Sequence, residues 1–230
     1  MTPAQAGRAR HEHQRTSWAA PATIILLTLA GCASLGRPVS YVPGQPVPIR
    51  SFTVELPRAH NWEGRELGSA DEGIFLVFGH RLGSTRTVLA AATDLVAPAR
   101  KALYEAKAVG KSDPERLDFM LDLVEQNSHT AEPGVVESFW RGPSDRPALQ
   151  TVACQEYGYE TLDRRVPHHP GEPFRMVLRG LVCLDPGIGR PIQLTYSERY
   201  LESTERLRPE FEGEVNAYFD SLSLSGMPSS

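Results

Sequence analysis

Apolar and polar residues alternate over Phe52-Thr-Val-Glu-Leu56, the period-two pattern of a strand with one buried face, and Pro57 stops it. Gly73-Ile-Phe-Leu-Val-Phe78 is a continuous apolar run and predicts a more deeply buried strand. Thr85–Ala92 predicts a third, with Gly83-Ser84 as the hairpin turn before it. The period then changes. Asp94 is placed to cap a helix that runs to Val109 and stops at Gly110. Ser112-Asp-Pro-Glu115 is a capping box with Pro in the first turn. Leu117, Met120, Leu121 and Val124 follow at i, i+3, i+4 and i+7, one helical stripe that Asn127 is expected to end. Strands resume at 135–140, 148–162, 174–184 and 191–200, and a last helix carries Phe211, Val215, Tyr218, Phe219 and Leu222 on one face. Strands joined by short turns, with helices in blocks, predict an α+β fold: an antiparallel sheet flanked by helices.

The segment 163–173 joins two of these strands. In a hairpin, opposed residues have numbers with a constant sum. Cys154 and Cys183 share the sum of His168 and His169, which sit at the middle of that segment. The two cysteines would therefore face each other, at a separation close to what a disulfide needs. The alternative is two free thiols buried in adjacent strands.

Ahead of this domain the pattern is of another kind. A basic start (Arg8, Arg10, Arg15) precedes an apolar stretch from Trp18 to Ala30, then Gly31 and Cys32. Charged start, apolar core and small residues at a cut make a secretory signal. Leu29-Ala30-Gly31-Cys32 resembles the lipobox of bacterial lipoproteins. The resemblance implies cleavage before Cys32, diacylglyceryl on its sulfur, and stable anchoring, since two or more acyl chains hold a protein to a bilayer. An uncleaved membrane span and an ordinary cleaved signal are the alternatives. Ala33 lies outside the inner-membrane retention pattern of that family, which implies an outer-membrane, periplasm-facing location in a host with two membranes. The chain divides into a signal peptide (1–31), a tether (32–50) rich in Pro and Gly, one domain (51–225) and a loose tail (226–230). The tether is expected to lack regular structure and to lift the domain off the membrane.

Removing 1–31, which holds three Arg and one Glu, lowers 24 basic and 28 acidic residues to 21 and 27, a net charge of −6. Nucleic acid is an unsuitable partner for such a surface, and electrostatic attraction to anionic lipid is equally disfavoured. Gly-x-Ser-x-Gly, His-Glu-x-x-His, Cys-x-x-Cys and a Gly-rich phosphate loop are all absent from the sequence. No cofactor is expected.

Weak candidates remain. His168 and His169 could hold a metal with Asp163 or Glu172, or be a solvated loop tip. His60 and Trp62 could line a pocket or cap the edge of the core. Glu156, Glu160, Asp163, Glu198 and Glu202 could include an acid–base pair, or form a solvated strand face. Phe139-Trp140 and Tyr157-Gly-Tyr159 read as packing aromatics or a binding platform.

Phe52-Thr-Val-Glu-Leu-Pro57, followed by Trp62, resembles the opening of PsbP/Mog1-like domains, and Phe219-Asp-Ser-Leu-Ser-Leu224 is similar to their end. That resemblance implies an α/β/α sandwich that binds other proteins through its sheet or helix faces. The leading expectation is a non-enzymatic envelope module that binds another envelope protein. A small-ligand-binding lipoprotein is the alternative, and a hydrolase without a recognisable motif the third.

Overall fold

The computed structural model describes residues 36–49, 52–58, 60–67, 75–94, 110–131, 136–164, 171–184 and 191–224. In chain order the elements are β1 (Arg37–Val39), β2 (Val47–Ile49), β3 (Phe52–Val54), β4 (Glu63–Leu67), β5 (Phe75–Leu82), β6 (Arg86–Asp94), α1 (Asp113–Ala131), β7 (Val136–Pro143), β8 (Cys154–Asp163), β9 (Phe174–Leu184), β10 (Pro191–Leu201), α2 (Phe211–Asp220) and β11 (Ser223–Leu224). Eight strands form one sheet in the order β1-β4-β5-β6-β10-β9-β8-β7, every neighbouring pair antiparallel. A small sheet, β11-β3-β2, lies apart from it.

Alternation along the strands sorts the core into two layers. Leu76, Phe78, Ala90, Ala92, Leu194, Tyr196, Leu181 and Cys183 point to one face, where Val47, Ile49, Phe52, Val54 and the apolar side of α2 cover them. Ala90 and Ala92 carry too little bulk to hold α2 away, so Tyr218 reaches the sheet and donates to the Ala91 carbonyl at 2.9 Å. The opposite face presents Tyr157, Tyr159, Leu178, Val182 and Leu184 to Leu117, Met120 and Leu121 of α1. The capping box forms: Glu115 Oε2 accepts from Ser112 N at 2.8 Å and from its hydroxyl at 2.7 Å. The stripe at i, i+3 and i+4 is the buried side of α1, as its spacing predicts.

The long hairpin has the expected register. Cys154 pairs directly with Cys183, and a disulfide joins them. Several expectations are corrected. The segment 33–50 does not lack regular structure. Arg37–Val39 pairs with β4, and Val47 and Ile49 are buried residues of β2 in the small sheet. Its prolines are compatible with this because both strands are three residues long. Asp94 ends β6 opposite Ile192; the helix expected after it lies outside the described residues. Helix α1 runs past Asn127 to Ala131, since Pro133 and Gly134 are the first strong breakers. The strand expected from 148 begins only at Cys154. Residues Pro147–Leu149 form a 3-10 turn, and Leu149, with Val152 just after the turn, plugs the core instead of alternating across a sheet. The expected sheet flanked by helices is observed, but among the described residues strand outweighs helix, and one flanking layer is shared between α2 and the small sheet. The lipobox (Leu29, Ala30, Gly31, Cys32), His168, His169 and the tail 226–230 lie outside the described residues.

Candidate functional site

Strand β7 is an edge of the large sheet: β8 pairs with one side of it, and no described strand pairs with the other. Trp140 lies near its middle and is 44% exposed, beside Val42 the most open of the large apolar side chains described. Its posture follows from its neighbours. The residue across the ladder is Gly158, and a Cβ there would come within 2.7 Å of the indole Nε1. The ring therefore occupies space that any other residue would fill, an aromatic laid over a cross-strand glycine. The Arg179 guanidinium stacks on it at 5.7 Å, on Phe211 at 5.8 Å, and is held by Glu212 at 2.7 Å. Trp140 is thus exposed and also positioned.

On the α1 face of the same strand, Phe139 stacks on Tyr157 and Tyr159. The tyrosines share a face as their period-two spacing predicts, and both are core. Tyr157 extends across Gly180, where a Cβ would lie 2.1 Å from its ring, so that its hydroxyl meets the Gln193 side-chain amide two strands away. Burial pushes the hydroxyl of Tyr157, and that of Tyr159, well above the usual phenol range.

The α2 face buries charge. Glu198, fully buried, accepts from Arg208 Nε at 2.8 Å, and Arg86 Nε lies 3.4 Å from its other oxygen without a hydrogen bond. Arg208 also grips Glu214 with both terminal nitrogens, at 2.6 and 3.1 Å. Tyr196 donates to Glu214 at 2.7 Å. His60 Nε2 stands 3.0 Å from the same carboxylate but is poorly aligned for a hydrogen bond. Burial alone would raise the Glu214 pKa. The hydrogen bonds from Arg208 and Tyr196, with His60 alongside, reverse this and hold it at about 2. At neutral pH such a carboxylate keeps its charge and has no proton to exchange.

His60 and Trp62 are brought together, with ring centroids 5.2 Å apart, but both are buried and neither lines either of two open grooves on the surface. The Trp62 indole donates to the Pro57 carbonyl at 2.9 Å. The carboxylates seen in the sequence do not form one site. Glu156 accepts from Arg146, Glu160 and Glu202 from Arg175, and Asp163 from Arg199. A solvated strand face is the wrong description of Glu198, which each neighbouring arginine helps to enclose. Arg146, which ties Glu156 to Asp220 and Asn216 of α2, had no signal in the sequence beyond its charge. Among the described residues, no three His, Cys, Asp or Glu side chains are grouped to hold a metal, and no helix is long and apolar enough to cross a membrane.

No family model, curated protein or solved structure matches the chain.

Proposed function

We propose that the chain is a lipoprotein of the cell envelope, anchored through Cys32 and facing the periplasm where the host has two membranes, whose domain binds another envelope protein along the β7 edge. Trp140 carries this reading. A tryptophan held in one posture by Gly158 and Arg179 has little side-chain freedom to lose on association, and tryptophan is the residue type most enriched where single residues dominate binding. The outer backbone of β7, to which no described strand pairs, adds hydrogen-bonding groups beside it. The lipobox supports the anchor. Helices α1 and α2 on opposite faces of the sheet support the finer fold reading, the α/β/α arrangement of PsbP/Mog1-like domains, with the small sheet added to one layer.

The test is in-cell crosslinking of the tethered protein, with and without Trp140→Ala, followed by mass spectrometry. One dominant envelope protein captured through β7, with capture falling about tenfold or more in the variant, is the expected result. A captured partner that is indifferent to the substitution, or no reproducible partner, overturns the proposal. A thermal melt of both proteins separates lost binding from lost folding, since Trp140 also packs on Gly158 and Arg179.

A further inference from the structure

Only residues 33–35 lie between Cys32 and the first described residue, Gly36, after which β1 begins at Arg37. Five residue steps span at most roughly 17 Å from Cys32 to Arg37. The headgroup layer of one leaflet is roughly 5–7 Å thick, the difference between a bilayer's full and hydrocarbon thickness shared between two sides. An 18-residue free tether would have reached roughly 60 Å. With most of that tether folded into the domain, little slack remains above the headgroups.

The surface at this edge suits such a position. The segment after β1 encloses an open groove of about 450 Å³, lined by Arg37, Tyr41, Val42, Gln45, Glu66 and Leu76 among others. Val42 is 53% exposed, in a turn closed by the hydrogen bond from Gln45 N to its carbonyl. Arg37 and Arg58 flank it, their side chains 79% and 74% exposed. Arg58 stands against Gly44 of the same turn. Their pairings with Glu66 and Glu55 are surface ion pairs, which hold an arginine weakly and leave it free to exchange toward another anion.

We infer, on the lipoprotein reading, that the β1 edge is a membrane-contact surface: the turn carrying Val42 rests in the phospholipid headgroup layer, with Arg37 and Arg58 turned to lipid phosphates. The short tether seats it, because the mature chain's net charge of −6 gives no general attraction to anionic lipid. The sheet then stands outward from the bilayer. Seven strand spacings of ~4.8 Å put β7 and Trp140 roughly 34 Å from β1, measured across the sheet.

The experiment uses the lipidated protein in phosphatidylcholine vesicles containing a headgroup-proximal doxyl-labelled lipid. A fluorescent probe is attached in turn at Val42→Cys and at Arg164→Cys, an exposed site at the far end of the β8 strand. Cys154 and Cys183 are disulfide-bonded and do not take the label. The expected result is a probe at position 42 quenched several-fold more than one at 164, the difference vanishing when a long Gly/Ser segment is inserted between Ser34 and Leu35. Equal quenching at the two positions overturns the inference, and so does quenching at 42 that survives the insertion, since the tether would then not be its cause. The mass of the N-terminal peptide from the same sample separates the two levels. An unlipidated Cys32 brings down the anchor itself, whereas a lipidated Cys32 with position 42 unquenched brings down the membrane contact alone.

Discussion

The centres of the two sheet faces bury polar groups in different ways. At the centre of the α1 face a neutral pair, a tyrosine hydroxyl and a glutamine amide, meets between strands, and charges stand at the helix and the strand ends, where Asp113, Asp118 and Asp122 of α1 meet Arg116, Gln155 and Arg141. The α2 face uses charges, with Glu198 and Glu214 held by Arg208 and with Arg86, Tyr196 and His60 around them. A neutral pair loses only its own hydrogen bond when one member goes. A buried charge that loses its partner retains the full cost of desolvation. The two clusters should therefore respond to the same kinds of perturbation with different magnitudes, and the Tyr157–Gln193 pair should not respond to acid as the Glu214 carboxylate does.

The largest expected effect is Glu198→Ala, which takes the buried counter-charge from Arg86 and leaves Arg208 with Glu214 alone. Chemical denaturation should show a loss of about 3–5 kcal/mol; a loss under 1 would mean that water already solvates the cluster and would end the comparison. Next is Gly180→Ala, whose new methyl group displaces Tyr157 and separates it from Gln193. A loss of about 2–3 kcal/mol is expected from overpacking together with the broken hydrogen bond. Third is pH. Glu214 has its pKa lowered on folding, from an ordinary value near 4.5 to about 2. Its contribution is complete above about 4.5 and disappears as pH falls to about 2, a loss on the order of 2 kcal/mol once solvent screening of this partly buried cluster is discounted. Glu214→Gln should flatten the stability profile in that window, whereas changes at Tyr157 should leave its slope alone. The smallest effect is Tyr157→Phe, about 1 kcal/mol with no pH dependence below 9. A loss as large as that of Glu198→Ala would show the two faces to be alike.

Most of the sheet was legible because its strands state their period. β9 and β10 are long and rich in alternating apolar positions, and the cysteine spacing points to the observed register of β8 against β9. β4 was not legible: Glu63-Gly-Arg-Glu-Leu67 has neither β-branched residues nor a buried face, and it is a strand because β5 and β1 pair with it. β1 and β2 were hidden by the prolines that made them read as tether. The charged cluster was hidden for a different reason. Glu198, Arg208, Glu214, Arg86 and His60 come from separate segments, and no local spacing encodes their meeting. Trp140 was visible as an aromatic, but its exposure depends on β7 being an edge and on Gly158 lying across from it, both properties of pairing.

The placement of the tryptophans has an optical consequence. Of three in the chain, Trp18 lies within residues 1–31, so the proposed cleavage before Cys32 would leave Trp62 and Trp140. Trp62, 7% exposed and packed against His60 and Tyr196, should emit in the blue and resist acrylamide. Trp140 should emit further to the red and be quenched readily. A ligand on the β7 edge would shift and shield only the red component, while unfolding would merge the two. A single emission spectrum with added quencher therefore distinguishes occupancy from denaturation in this protein without any attached dye.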